Sequence, residues 1–312
     1  MSLEQGFTTF VPMADSISSN LTFAVYGRTG TQAILPYVSK LIEVFKCHSI
    51  RPLLYQPLYS FMKQNGIQSN GIDTFSTHDE LQGNANFLFS LGGDGTLLDT
   101  ITLVRNHGIP IVGINTGRLG FLASISKDQL ESCVEYLLQG RYDLDKRSLI
   151  RLETPIPLFG QVNYALNEIT IHKKDSSSMI IIHTYLNGEY LNSYWADGLI
   201  ISTPTGSTGY SLSCGGPIIV PQSENFVITP IAPHNLNVRP IVVSDKYVIS
   251  LEVEGRNPFF LASLDSRSIT IDSSVQLAAR KEDFSIDIVR LHSENFLGTL
   301  RNKLMWGLDV RN

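Results

Sequence analysis

Residues 87–104, FLFSLGGDGTLLDTITLV, constrain the fold more than any other stretch of this chain. Residues 87–91 are apolar and uncharged, as expected of a strand covered on both faces. Gly92, Gly93, Asp94, Gly95 and Thr96 follow, and then Leu97, Leu98, Ile101 and Val104 recur at helical spacing. The segment reads as strand, glycine turn and helix. The glycines remove every Cβ from the turn's core except that of Asp94, so backbone amides can approach a bulky anion closely. The start of the helix adds unpaired N–H groups and a positive dipole end, which suits phosphate. Asp94 is the odd member. A carboxylate repels phosphate, so it serves a hydroxyl proton, a metal, or merely the capping of the helix. The turn is not G-x-G-x-x-G, and G-x-x-x-x-G-K-[ST] is absent from the chain, so neither fingerprint's mechanics can be borrowed.

The chain has 312 residues, enough for one large domain or two ordinary ones. At 43% hydrophobic and 17% charged, its composition is that of a soluble globular protein. A net charge of −5 opposes a general nucleic-acid binder, which usually carries a basic surface. Cys47, Cys133 and Cys214 are too widely spaced to indicate a disulfide framework or a zinc cluster. No signal peptide and no run of membrane-spanning length is visible. These features predict a cytoplasmic protein with no membrane or nucleic-acid partner.

Residues 1–20 are polar and aperiodic and read as a flexible leader. An α/β domain is predicted over 21–143, completed by 291–312. Its expected strands are 21–26, 53–55, 87–91 and 109–115. The expected helices start near Pro36 and cover 58–64 and 128–139. Alternating strands and helices imply a parallel sheet, whose ligands bind outside the carboxyl ends of the strands. The turns at 92–96 and 116–121 both sit at such ends. From 144 to 290 the texture is β-rich, with a hairpin signal at Leu186, Asn187, Gly188 and Glu189. A helix over 292–306, with Phe296, Leu300 and Leu304 spaced by four, is placed back on the first domain. The predicted fold is therefore a Rossmann-like α/β domain joined to an all-β, sandwich-like domain.

Residues 197–217, DGLIISTPTGSTGYSLSCGGP, form the second candidate site. A strand runs into Thr205, Gly206, Ser207, Thr208, Gly209, Tyr210 and Ser211, small hydroxyls and glycines suited to hydrogen-bonding a polar ligand. Tyr210 offers a stacking face. Asn167 and Glu168 interrupt an apolar strand. Neighbouring strand residues face opposite sides, so both reach one ligand only near a strand end or bulge; otherwise Glu168 faces solvent. Asp265, between apolar strand pieces, is the late carboxylate to follow.

These residues resemble the NAD kinase family. The matching segments are LGGDGTLL at 91–98, INTGRLGFLA at 114–123, LNEITIHK at 166–173, the 197–217 stretch, IAPHNLNVRPIV at 231–242 and DSR at 265–267. A GGDGT turn alone also occurs in diacylglycerol and sphingosine kinases; the ordered set is specific. The resemblance implies transfer of the γ-phosphoryl group of ATP to the 2′-hydroxyl of the adenosine ribose of NAD. Asp94 falls on the proton acceptor, with Gly92, Gly93, Gly95 and Thr96 at the nucleotide. Asn167 and Glu168 fall at the ribose hydroxyls. Phe121, Asp197, Thr208, Gly209, Tyr210, Ser211, Leu212 and Ser213 fall around the two ends of NAD, with Thr205 in the same loop. Asp265 and Arg267 complete the set. The family commonly has alanine in place of Gly209 and glutamine in place of Arg267, which leaves the role of Arg267 open. Mg²⁺ is expected to arrive with ATP, since the sequence shows no metal cage, and a homodimer or homotetramer is implied. A lipid kinase and a non-catalytic nucleotide sensor are the rival readings.

Overall fold

The architecture was read from a computed structural model that describes residues 21–67, 71–174, 179–292 and 295–305. The expected leader and the end of the 292–306 helix at Trp306 lie outside the described residues. The first half contains β1 (Thr22–Gly27), α1 (Leu35–Cys47), β2 (Arg51–Tyr55), α2 (Gln56–Gln64), β3 (Asp73–Phe75), α3 (His78–Leu81), β4 (Phe87–Gly92) and α4 (Asp94–Val104). It continues through β5 (Ile111–Asn115), β6 (Ile125–Ser126) and α5 (Leu130–Leu138). Next come β7 (Tyr142–Glu153), β8 (Tyr164–Ala165), β9 (Glu168–Lys173), β10 (Ile180–Leu186), β11 (Glu189–Ala196), β12 (Gly198–Ser202) and α6 (Tyr210–Ser213). The remainder is β13 (Asn225–Ile231), β14 (Ile241–Ser244), β15 (Ile249–Gly255), β16 (Phe259–Leu264), β17 (Arg267–Asp272), β18 (Leu277–Leu291) and α7 (Phe296–Leu304).

The first-half strands pair in parallel in the order β3-β2-β1-β4-β5. This is the doubly wound order, and it reverses between β1 and β4. The apolar run at 87–91 is buried on both faces, as its lack of charge requires. Phe87, Phe89 and Leu91 pack with Val38, Leu41 and Phe45 of α1 and Val134 of α5, while Leu88 faces Leu97, Ile101 and Val104 of α4. The crevice at the carboxyl ends of β1 and β4 therefore opens directly onto the glycine turn.

The β-rich half forms a sandwich. A six-stranded antiparallel sheet, β14-β13-β12-β9-β16-β17, packs on β10, β15, β7 and β18 through Ile169, Ile171, Leu199, Ile201, Phe226, Ile228, Ile182, Leu251 and Ile150. Asn187 and Gly188 both take positive φ (50° and 85°) between β10 and β11, which is the hairpin turn that their sequence signals.

Two features differ from the expectations. The helix expected at 128–139 begins with a 3-10 turn at Lys127–Gln129, because Ser126 caps that turn and Gln129 returns the bond to the Ser126 amide. The second is architectural. β18 pairs in parallel with β5 at Ile288–Ile111 and antiparallel with β7 and β15, so one sheet continues from the α/β half into the sandwich. β7 and β18 run through the domain boundaries drawn at 143/144 and 290/291, and no linker marks either place. The carboxyl-terminal helix α7 packs back on the first half through Leu300, 3% exposed, and Phe296, whose ring centroid is 6.4 Å from that of Phe121.

Candidate active site

The glycine turn joins β4 to α4 as its sequence implies, but its residues divide by role. Gly93 is the N-cap of α4 and Asp94 its first residue; no side chain caps this helix, which removes capping from the readings of Asp94. Its carboxylate reaches instead to the 116–123 loop. Oδ2 accepts from the Phe121 amide (2.8 Å), and Oδ1 from the amides of Leu122 and Ala123 (3.0 Å each). A carboxylate has about four acceptor positions, so one remains for the cleft. Lys303 of α7 lies 3.6 Å from Oδ2. A Cβ on Gly120 would stand 1.9 Å from Asp94 Oδ1, so Gly120 must be glycine for this contact to form. Sequence reasoning passed over Gly120 as part of a turn, although its place before Phe121 in a strand-end loop was the available signal.

The three glycines of the turn face different surroundings. A Cβ on Gly92 would meet Thr96 Oγ1 at 2.3 Å, whereas Gly93 has nothing within 4 Å and Gly95 only the Arg28 guanidinium at 3.6 Å and beyond. Gly92 is thus fixed by packing, while Gly93 and Gly95 border open space. Arg28, just beyond β1, clamps the helix face by binding Asp99 through Nε (2.6 Å) and Nη2 (3.0 Å) and donating to the Gly95 carbonyl. Tyr26 also reaches Asp99, and burial with that carboxylate pushes its hydroxyl pKa upward.

In the second half, Asp265 answers the question posed by Asn167 and Glu168. It takes a left-handed conformation (φ 53°) in the turn between β16 and β17 and accepts from the amides of Leu166 (2.8 Å), Asn167 (2.8 Å) and Glu168 (3.2 Å). The pair sits where β9 begins, so both can serve one ligand. Burial pushes the Asp265 carboxyl up, against the three amides that hold it down. Arg267 donates to the carbonyls of Val162 and Tyr164, which assigns it to holding the β8 segment. Glu168 is left exceptional. Burial, and then the neighbouring Asp265 charge, raise its pKa to about 8, and its buried Oε2 has no hydrogen-bond partner. Such an atom is costly unless a donor arrives.

The 203–216 loop closes over this pair. Gly206 lies so near Asn167 that a Cβ would stand 2.0 Å from the Asn167 carbonyl oxygen; one on Gly209 would stand 3.3 Å from Glu168 Oε2. Thr205 and Ser211 are buried, bonded to Arg147 (3.1 Å) and Thr229 (2.8 Å), and serve the loop's own structure. Tyr210 and Ser213 are exposed, with Thr208, Gly209 and Leu212 partly so. Asp197 pairs with Lys173 at 2.6 Å. Phe121 is buried beside Phe296 of α7.

Arg147 has no local sequence mark that sets it apart as a site residue. Its side chain is 3% exposed and donates to Asp145 (2.7 Å), itself 4% exposed and further bound by Arg290 and Gln222. Although burial raises the Asp145 carboxyl, the two arginines hold it below the usual range. Arg147 also feels the charge of Asp94.

Comparison with known proteins identifies the family. Residues 8–142 match the family model of the ATP-NAD kinase N-terminal domain and residues 166–291 that of the C-terminal domain. An NAD kinase of Cytophaga hutchinsonii is 50% identical over 94% of this chain and 100% of its own length. One from Flavobacterium psychrophilum is 47% identical over the same shares. Among solved structures, yeast NADH kinase complexed with NADH shares the fold at a TM-score of 0.83 and 19% identity, covering 93% of this chain and 89% of that one. An Archaeoglobus fulgidus NAD kinase in complex with ATP has a TM-score of 0.70 and 25% identity, covering 90% and 99%. With family models matched across both halves and relatives aligned along nearly its whole length, this chain belongs to the NAD kinase family.

Proposed function

We propose that the protein phosphorylates NAD, transferring the γ-phosphoryl group of ATP to the 2′-hydroxyl of the adenosine ribose to give NADP. The observation that carries the reading is Glu168 Oε2, a buried acceptor lacking a donor beside Asn167, which suits a ribose hydroxyl pair. A ribose hydroxyl is a weak nucleophile at neutral pH and needs a base at the attacking oxygen. Asp94, rigidly aimed by three amides with one acceptor position left, fills that role. The attacking oxygen bonds to the γ-phosphorus, the bond to the β–γ bridging oxygen breaks, ADP leaves, and the hydroxyl proton passes to Asp94. Gly93 and Gly95 leave open space for the triphosphate at the start of α4.

Magnesium enters as part of the ATP substrate, where it neutralises the triphosphate oxygens. Among the described residues no three His, Cys, Asp or Glu side chains converge on one point, and Asp99 is already paired with Arg28. The same reading places the protein in the cytoplasm as a homodimer or homotetramer, which size-exclusion chromatography with light scattering tests. Among the described residues no helix is long and apolar enough to cross a membrane.

Incubation of the purified protein with ATP, Mg²⁺ and NAD should yield NADP, detected with an NADP-specific dehydrogenase. Diacylglycerol should not be phosphorylated. Tight nucleotide binding without NADP formation would favour a sensor and overturn the proposal. The glycines supply a second check. Gly93→Ala and Gly95→Ala should leave the melting temperature nearly unchanged and weaken ATP binding, whereas Gly92→Ala should lower the melting temperature by colliding with Thr96. Differential scanning fluorimetry with calorimetric ATP titration separates the two classes; three equal melting temperatures with normal ATP affinity would remove the cradle.

A further inference from the structure

The cation in contact with Asp94 comes from the far end of the described chain. α7 is capped by Asn295, whose side chain accepts from the Gly298 amide at 2.7 Å, and is anchored by buried Leu300. This docking brings Lys303 Nζ to 3.6 Å from Asp94 Oδ2 and 4.7 Å from the centroid of the Phe121 ring. The Asp94 contact is longer than the roughly 2.7–2.9 Å of a tight charge-assisted hydrogen bond. The side chain is one-third exposed, at 33%, and Asp94 is 28% exposed, so both remain accessible. Two other cations near the turn are committed. Arg28 is bidentate on Asp99, and Arg147 is buried against Asp145. Lys303 is held more loosely than either and can exchange partners.

We propose that Lys303 binds the transferred phosphoryl group, first as the terminal phosphate of the donor and then as the 2′-phosphate of the product. The inference rests on the kinase reading above and assigns that site a residue from the carboxyl-terminal helix. Its logic is charge exchange. In the resting site Lys303 balances Asp94. When Asp94 takes the ribose proton its charge disappears, and the lysine is released toward the phosphate arriving on the adjacent 2′-oxygen. A single ammonium thus neutralises whichever anion is present at that point.

The test uses the full chain and compares wild type with Lys303→Met, which keeps the apolar stem over Phe121, and Lys303→Arg, which keeps the charge. Calorimetric titration with NADP and with NAD is the primary readout. Loss of one charged phosphate contact should weaken NADP binding about tenfold in the methionine variant, with NAD binding unchanged and arginine restoring most of the loss. Turnover with ATP and NAD should fall in parallel in Lys303→Met. Equal weakening of NAD and NADP, or no change in either, would overturn the proposal, because a lysine that only props α7 cannot tell the two ligands apart. Lys303→Gln repeats the comparison should methionine impair folding. Wild-type NADP formation is measured alongside, so failure of the kinase reading is distinguishable from failure of the lysine assignment.

Discussion

Replacing Asp94 with asparagine should lower kcat by roughly 10²–10⁴-fold, the range for loss of a general base. The substitution is nearly isosteric, but it changes two things that the geometry keeps apart. It removes the proton acceptor. It also replaces one oxygen by an NH₂ group that cannot accept from the loop amides, so the 120–123 segment loses one or two of its three bonds to this side chain. Each such bond contributes about 1 kcal/mol, so a modest fall in melting temperature should accompany the collapse in turnover. Asp94→Glu separates the two effects. It keeps the acceptor but displaces it by a methylene, so turnover should drop while remaining above that of asparagine. Activity of the asparagine variant should not return at tenfold higher Mg²⁺; recovery would mean that the carboxylate anchors metal instead. Near-normal turnover would strip Asp94 of its catalytic role. Steady-state kinetics at two Mg²⁺ concentrations, with a melting curve for each variant, decide among these.

Glu168→Gln should act in opposite directions on stability and on substrate use. The Glu168 carboxyl has a folded pKa of about 8, raised from 4.5 by burial and by Asp265. Between those values the folded state binds more protons than the unfolded state, so stability falls as pH rises through this window. Glutamine does not titrate. The variant should therefore melt at a higher temperature than wild type at pH 9, with the advantage shrinking toward pH 5, where Glu168 is protonated in the folded protein. The apparent KM for NAD should meanwhile rise roughly 10–100-fold at pH 8.5, corresponding to loss of a charged hydrogen bond, with the KM for ATP little changed. The unliganded protein thus carries a destabilising carboxylate whose cost the substrate removes. Equal effects on both substrates, or a stability advantage over wild type no larger at pH 9 than at pH 5, would refute the assignment.

Local chemistry was legible in the sequence where it depends on consecutive residues. β4, the glycine turn and α4 follow from an apolar run, three missing side chains and a helical repeat. The hairpin at Asn187 and Gly188 follows from two residues that accept positive φ. The position of Asn167 and Glu168 at a strand start was anticipated only as one of two possibilities. What decides it is Asp265, which reaches back to three amides from a distant turn. Arg147 was hidden for a similar reason. Its partners Asp145, Thr205 and Arg290 come from three parts of the chain, and an arginine in a strand has no local mark that distinguishes buried from solvated. The parallel pairing of β18 with β5 was invisible too, because hydrophobic strands do not name their neighbours.

That last pairing has a bearing on how the chain is made. β6 covers the carboxyl end of the outer edge of β5 at Ile114 and Asn115, yet the neighbour of that edge at Ile111 does not exist until the polypeptide has been extended past Ile288. On a ribosome, the α/β half would present the amino-terminal part of that apolar strand edge uncovered while the whole sandwich is being synthesised, the kind of edge that invites pairing with another chain. A shortened chain ending before β18 would keep that edge permanently open and would deprive β7 of its longest partner. The order of translation therefore sets a vulnerable interval that ends when one late strand closes both halves together.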